Sequence, residues 1–255
     1  MLLTKDQIKT TEVFDWEGLH LLHFSMSSCS QKVRILLREK CLDWISHPIN
    51  LVSGEQKEAW FQGVNPNGVV PVLVHDGEVH VESNDILIYL DEAFPSDQGS
   101  YLPSSEDERR KAQRLMDLED ELHADLRTLT FSFVAPGNLM KGAEKITDED
   151  IGGALSRFQN GFEQLDRALE GSPFLCGERL MLPDIAWFIS AHRLVLGGYP
   201  IERHTHLNRW YKTLAQRPAL SAETAEGPLL PRLAGDVYRF IKRVRRDTIR
   251  HRLEG

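Results

Sequence analysis

Residues 65–95 read NPNGVVPVLVHDGEVHVESNDILIYLDEAFP, and the fold is decided here. Asn65-Pro66-Asn67-Gly68 is a turn, because proline presets φ while Asn and Gly tolerate left-handed backbone. Two apolar runs follow, and between them stands His75-Asp76-Gly77-Glu78. Asp-Gly between apolar runs is the strongest short signal for a hairpin. After Glu82-Ser83 the stretch NDILIYLDEAF reads as a helix. A hairpin that runs straight into a helix belongs to a sheet with helices packed on it.

Working upstream, GLHLLHF at 18–24 is short, apolar and bounded by serines, which predicts a buried strand. Ser27, Ser28 and Ser30 are all competent N-caps for a helix whose inner face carries Val33, Leu36 and Leu37. A second strand is expected over 43–51 and a polar helix from Glu55 to Gln62. Residues 1–95 therefore read strand, helix, strand, helix, hairpin, helix, preceded by an extension over 1–17. Residues 96–106, with Pro95-Ser96-Asp97-Gln98-Gly99-Ser100 at their start, read as a linker.

Downstream the strand signals stop. Leu115, Leu118, Leu122, Leu126 and Leu129 fall at helical spacing over 107–133, as do Leu155, Phe158, Phe162, Leu165 and Leu169 over 148–169. Pro183-Asp184 opens a third helix through Trp187 and Leu194, and 205–216 a fourth. The expected class is α+β: a mixed domain over 1–95, then an all-helical domain over 107–255.

The chain has 255 residues, 41% apolar and 27% charged, enough for two compact domains and far from the composition of disorder. Its net charge of −8 argues against a nucleic-acid partner. Three cysteines, Cys29, Cys41 and Cys176, cannot all pair, which suits a reducing, cytoplasmic setting. No signal peptide is evident at the start, and no stretch approaches the apolar length of a membrane span. The ten histidines include His204-Thr205-His206, but no Cys/His cluster has zinc-ligand spacing, so no metal is expected.

Three motifs carry a resemblance, which covers roughly residues 18–225. SMSSCSQKVRILLREK at 25–40 is similar to the active-site turn of zeta-class glutathione transferases and of bacterial tetrachlorohydroquinone reductive dehalogenases. NPNGVVPVLVHDG with ESNDILIYLDEAFP resembles the glutathione-binding half of the cytosolic glutathione transferase superfamily. FLCGERLMLPDIAWF at 174–188 resembles the helix start that nucleates that family's helical domain. WFQGVNPNGVVPVLVHDG is also similar to bacterial β-etherase-type transferases. The resemblance implies a thioredoxin-like N-terminal domain and an all-helical C-terminal one. It further implies a homodimer that uses glutathione as co-substrate against a small electrophilic, aromatic molecule, as in detoxification. A transferase-fold binding module without turnover is the alternative.

A thiol with a pKa near about 8.5 is mostly protonated at neutral pH, so the site must favour the thiolate. A hydroxyl donor and the positive end of a helix would do so. By resemblance Ser27 is that hydroxyl, with Ser28 beside it; the same serines also suit plain caps. Cys29 at a helix start would be a second, reactive thiol able to resolve a mixed disulfide, or else a small packed hydrophobe. Pro71 resembles the family's cis-proline, which lets the Val70 main chain pair with the tripeptide. Glu82 would meet its ammonium and Ser83 its carboxylate. Gln56 and Lys57 are candidates for the glycine end. In the helical domain Met181 stands where the family has a capping Ser or Thr before Asp184, which costs this helix start about 1 kcal/mol.

The tail is a separate matter. From residue 237 on, seven Lys or Arg oppose two acids, leaving +5 there and −13 on the remaining residues. Leu229, Leu230, Leu233, Val237, Phe240, Ile241 and Val244 form an apolar stripe. Such a helix is expected to pack on the acidic body, or to make peripheral membrane contact through residues 237–253.

Overall fold

The computed structural model describes residues 1–96, 99–136, 145–225 and 229–254, with only the backbone at 225 and 229–232. Asp97 and Gln98 of the expected linker, and the side chains of Leu229 and Leu230, lie outside what is described. The described residues form two compact units, Met1–Ser100 and the residues from Tyr101 onward.

In the first unit, strand β1 (Leu19–His23) leads through a tight turn into helix α1 (Ser28–Glu39). Ser27 is the N-cap, its side chain accepting the Ser30 N–H. Strand β2 (Ile45–Pro48), β3 (Val72–His75) and β4 (Glu78–His80) complete a sheet in the order β2-β1-β3-β4. β1 and β2 are parallel; β1–β3 and β3–β4 are antiparallel, with Leu22 opposite Val72 and Leu73 opposite His80. Asp76 and Gly77 both have positive φ, 48° and 80°, as a tight hairpin turn requires. Helix α2 covers Ala59–Val64 and α3 covers Ser83–Ala93.

The expected helix from Glu55 to Gln62 is broken. Glu55–Lys57 form a 3-10 turn, Glu58 is extended with ψ 150°, and α2 begins only at Ala59. The break lets α2 turn Phe61 and Val64, both fully buried, into the core. Burial of two large apolar side chains outweighs a few tenths of a kcal/mol of helix propensity.

Residues 1–17 belong to this unit rather than trailing from it. Leu3, Ile8 and Val13 enter its core, Leu2 bridges to His80, and the Leu3 N–H donates to Val79 O at 2.9 Å. The segment therefore covers the exposed edge of β4. Lys9 and Thr10 N–H both donate to Gly63 O.

The second unit is helical: α4 (Glu106–Glu121), α5 (His123–Leu129), α6 (Asp148–Ala168), α7 (Leu182–Leu196), α8 (Thr205–Leu214), α9 (Pro218–Ala225), α10 (Leu229–Val244) and α11 (Ile249–Glu254). The stretch expected as one helix over 107–133 is three pieces. α4 stops at Glu121 with Leu122 as its C-cap, and Thr130–Val134 after α5 widen to a π-turn, with Ala135 N–H on Thr130 O. The apolar spacing runs on across these breaks because leucines on either side bury into the same core.

Asp184, fully buried, ties the unit together. One of its oxygens accepts the Met181 N–H at 2.9 Å; the other accepts Leu175 N–H at 2.9 Å and the Trp210 indole N–H at 2.7 Å. Met181 gives no side-chain cap, as expected, yet the aspartate recruits two donors besides its own N-cap amide. Burial pushes its carboxyl up to about 6 against those hydrogen bonds.

α10 packs on the body of its unit, but not through its stripe. Tyr238 donates to Ser132 O at 2.8 Å, Arg239 reaches Val134 O at 3.2 Å, and the Lys242 ammonium lies 5.5 Å from the Phe133 ring. The polar face is inward; Leu233, Val237, Phe240, Ile241 and Val244 are exposed.

Candidate functional site

All the residues singled out for thiol chemistry lie in the first unit, on segments that adjoin its strands. β1 ends at His23 beside the start of β3 at Val72, so the serine turn leaves the sheet at the end where Val70-Pro71 enters it. β4 ends at His80 beside the start of β3, so the chain leaves β4 for Glu82-Ser83 and α3 at that same end. The turn, the Val70-Pro71 pair and the start of α3 thus converge on one end of the sheet. Two helix N-termini, of α1 and α3, open at that end.

Ser27 Oγ accepts from Ser30 N–H at 3.3 Å. No acceptor engages its own hydroxyl proton among the described residues, so the group caps the helix with its lone pair and keeps its donor. Ser28 opens α1, half-buried, and Cys29 follows it as a half-buried thiol outside any disulfide. Cys176 differs: it is buried and its thiol is pushed up to about 12, first by desolvation and then by the Asp184 charge. Such a thiol is inert at neutral pH.

The Val70–Pro71 peptide bond is cis. Val70 is buried, and neither its N–H nor its C=O has a main-chain partner among the described residues. That is the donor and acceptor pair of an open strand edge, ready for an added extended segment.

Glu82 has φ 66° and ψ 116°, a region that costs about 1–3 kcal/mol for a residue with a side chain. Its neighbours hold it there: Val81 N–H donates to Met1 O and Ile86 N–H to Glu82 O, both at 2.9 Å. The Glu82 side chain makes no cap bond. It is exposed, so the carboxylate remains available to a cation. Ser83 is 5% exposed at the first position of α3. Of the two candidates for the glycine end, Lys57 is exposed, while Gln56 buries a side-chain oxygen with no partner among the described residues.

One residue was not anticipated from the sequence. Arg34, buried on α1, donates to His23 Nδ1 at 2.9 Å, to Ser25 O at 2.8 Å and to Phe24 O at 3.3 Å. It clamps the main chain of the turn that presents Ser27. The only signal was an arginine within an otherwise apolar run, VRILL. His23 accepts at Nδ1, so its proton sits on Nε2 and faces Ser46 Oγ at 2.7 Å. Burial and the Arg34 charge push His23 down to about 4.

Three further histidines are in structural use: His20 and His47 stack with Trp16 and share a 2.9 Å hydrogen bond. His204 meets Tyr199 OH at 2.8 Å. Among the described residues no group of three or more His, Cys, Asp or Glu could hold a metal ion.

Comparison with known proteins matches residues 26–93 to the glutathione S-transferase N-terminal domain and residues 112–213 to the glutathione S-transferase C-terminal domain. The chain is 32% identical over 172 residues to glutathione S-transferase 1 of Dianthus caryophyllus, covering 66% of this chain and 74% of that protein. It is 31% identical over 171 residues to the zeta-class enzyme of Euphorbia esula, covering 66% and 72%. Among solved structures, the β-etherase LigF from Sphingobium sp. strain SYK-6 superposes with TM-score 0.72 at 23% identity, over 82% of this chain and 100% of that one. Glutathione transferase F7 from Populus trichocarpa gives 0.70 at 24% identity, over 81% and 98%. With both of its units matched in order, the chain belongs to the glutathione transferase family, enzymes that take glutathione as co-substrate.

Proposed function

We propose that the end of the sheet bounded by Ser27, Val70 and Ser83 binds glutathione and activates its thiol for attack on a small electrophilic, aromatic substrate. The observation that carries the reading is that the segments holding these residues follow β1, precede β3 and follow β4 at one end of the sheet. Ser27 donates its uncommitted proton to the thiolate, and the N-terminus of α1 adds its partial positive charge. Val70 N–H and C=O pair with the cysteinyl main chain of the tripeptide. Ser83 and the first amides of α3 take the γ-glutamyl carboxylate, and Glu82 its ammonium. Gln56 is the better candidate for the glycine end, since its buried side-chain oxygen lacks a partner among the described residues and an amide can present either atom.

In conjugation the thiolate sulfur forms a bond to the electrophilic carbon and the leaving group departs with the displaced electron pair. Cys29 supplies a second thiol beside the first, suited to resolving a glutathionyl mixed disulfide. The zeta-class and β-etherase likenesses support this range of chemistry without choosing within it. Pairing into a homodimer, as the family implies, is part of the same reading, and sedimentation equilibrium tests it.

The decisive experiment is calorimetric titration with glutathione, followed by conjugation assays on 1-chloro-2,4-dinitrobenzene. Heat of binding that Ser83→Ala and Glu82→Gln weaken supports the assignment; no heat with the intact protein overturns it. A Cys29→Ser variant that still reduces a glutathionyl disulfide at full rate would remove Cys29 from the mechanism while leaving Ser27 in it.

A further inference from the structure

The C-terminal helix α10 is amphipathic, yet it meets its own unit with the polar face. Tyr238, Arg239 and Lys242 hold it to the segment Thr130–Val134. The opposite face carries Leu233 (49% exposed), Val237 (58%), Phe240 (67%), Ile241 (41%) and Val244 (67%). These positions recur at the three- and four-residue spacing of one helical face, so they form a continuous outward ridge. Monomeric soluble surfaces rarely keep such ridges without use.

The charges around the ridge divide into two groups. Arg239 pairs with Asp236, Lys242 with Asp247, Arg250 with Glu202, and Arg252 with Asp148 and Asp247. Arg243, Arg245 and Arg246 are exposed and have no acidic partner among the described residues. All three stand at the C-terminal end of the ridge, beside Val244, where Arg246 turns the chain with φ 52°. The only acid between Leu233 and Val244 is Asp236, already neutralised by Arg239.

We propose that this face of α10 is a docking surface for an anionic lipid membrane, with Phe240, Ile241 and Val244 entering the acyl boundary and Arg243, Arg245 and Arg246 on lipid phosphates and carboxylates. Two features favour lipid over a second copy of the chain. The ridge is about 18 Å long at helical rise and one helix wide, well short of the roughly 800 Å² per partner of a stable protein interface. A bilayer requires no complementary shape, only apolar depth and negative charge, and arginine binds phosphate in two-pronged fashion. The net −8 of the chain does not prevent contact, because repulsion from distant acids is screened within about 8–10 Å at physiological salt. The inference stands apart from the thiol chemistry and survives if that assignment fails.

The test is co-sedimentation of the full chain with vesicles of phosphatidylcholine alone and of phosphatidylcholine with phosphatidylserine. Binding is expected only to the second, falling at high salt. Phe240→Ser with Val244→Ser should weaken it at least about tenfold. Arg243→Gln, Arg245→Gln and Arg246→Gln together should abolish the preference for phosphatidylserine. Circular dichroism and conjugation activity should be unchanged in both variants, which shows them folded. In Phe240→Trp, a conservative change, the added indole emission should shift to the blue on the acidic vesicles. The proposal is overturned if the intact chain ignores phosphatidylserine, if the variants bind equally, if the emission of the Phe240→Trp variant does not move, or if the Phe240/Val244 changes convert a dimer to monomer instead.

Discussion

A hydroxyl stabilises a thiolate only if its proton is not already given elsewhere. Ser27 meets that condition because helix capping uses the oxygen's lone pair, at 3.3 Å from Ser30 N, and leaves the hydrogen. Ser27→Ala should therefore lower kcat/KM for conjugation about a hundredfold. The kcat pH profile should move to higher pH, as steady-state rates from neutral to alkaline pH would show. Helix stability should fall by only about 1 kcal/mol. In the proposed site Glu82 acts on binding: Glu82→Gln keeps shape and backbone but removes the charge that would meet an ammonium. KM for glutathione should rise about tenfold with kcat little changed; an equal fall in both would place Glu82 in the chemical step. The serine cluster was legible because caps are local. Arg34 was not, because its partners Phe24 and Ser25 become its neighbours only when β1 turns back over α1.

At the scale of elements, two glycines test how the N-terminal segment and the helices are built. A Cβ at Gly63 on α2 would sit 2.1 Å from Thr10 Oγ1 and 3.0 Å from Thr10 N. Thr10 is fixed there by its bonds to Gly63 O and Trp60 O, so it cannot retreat cheaply. Gly63→Ala should cost about 1–3 kcal/mol and loosen residues 1–17, seen as a lower urea midpoint and faster amide exchange at Thr10. Gly152 in α6 meets nothing within 4 Å. Gly152→Ala should stabilise by about 0.5–1 kcal/mol in the same denaturation. The hairpin at Asp76-Gly77 and the cap of α6 at Thr147 are fixed by a few adjacent residues, whereas the breaks at Glu58 and Leu122 are imposed by what each half must bury.

Across the whole molecule, acid stability is set by buried neutral imidazoles. His23 and His80 in the first unit and His192 in the second are each pushed down to about 4 from 6.5, burial being the largest cause. An unfolded chain takes up these protons first. Their stabilisation is thus complete above pH 6.5 and is lost as pH falls from 6.5 toward 4. Asp184 runs the other way: raised to about 6 from 3.8, it binds its proton more tightly when folded and offsets part of the loss over the same window. The net effect should be a falling urea midpoint below pH 6.5. His23→Gln and His80→Gln should each flatten that slope, by about 1–3 kcal/mol between pH 7 and 4.5. A midpoint that rises on acidification would contradict that balance.

Taken by itself, the sequence determined the order of elements in the first unit, the turn at Asp76-Gly77, the starts of α1, α3, α6 and α7, and the residue types of the proposed thiol site. These follow from backbone preferences and side-chain spacing that neighbours within a few positions control. Only the tertiary structure decided how distant segments are arranged: the turn at Ser27, Val70-Pro71 and the start of α3 at one end of the sheet, Arg34 on the Phe24-Ser25 main chain, and residues 1–17 along the edge of β4. It also decided that α10 turns its apolar stripe outward. A helical period records that a helix has two faces. Which face is buried depends on partners more than a hundred residues away, Ser132 and Val134 in this case, and on how their carbonyls are to be satisfied.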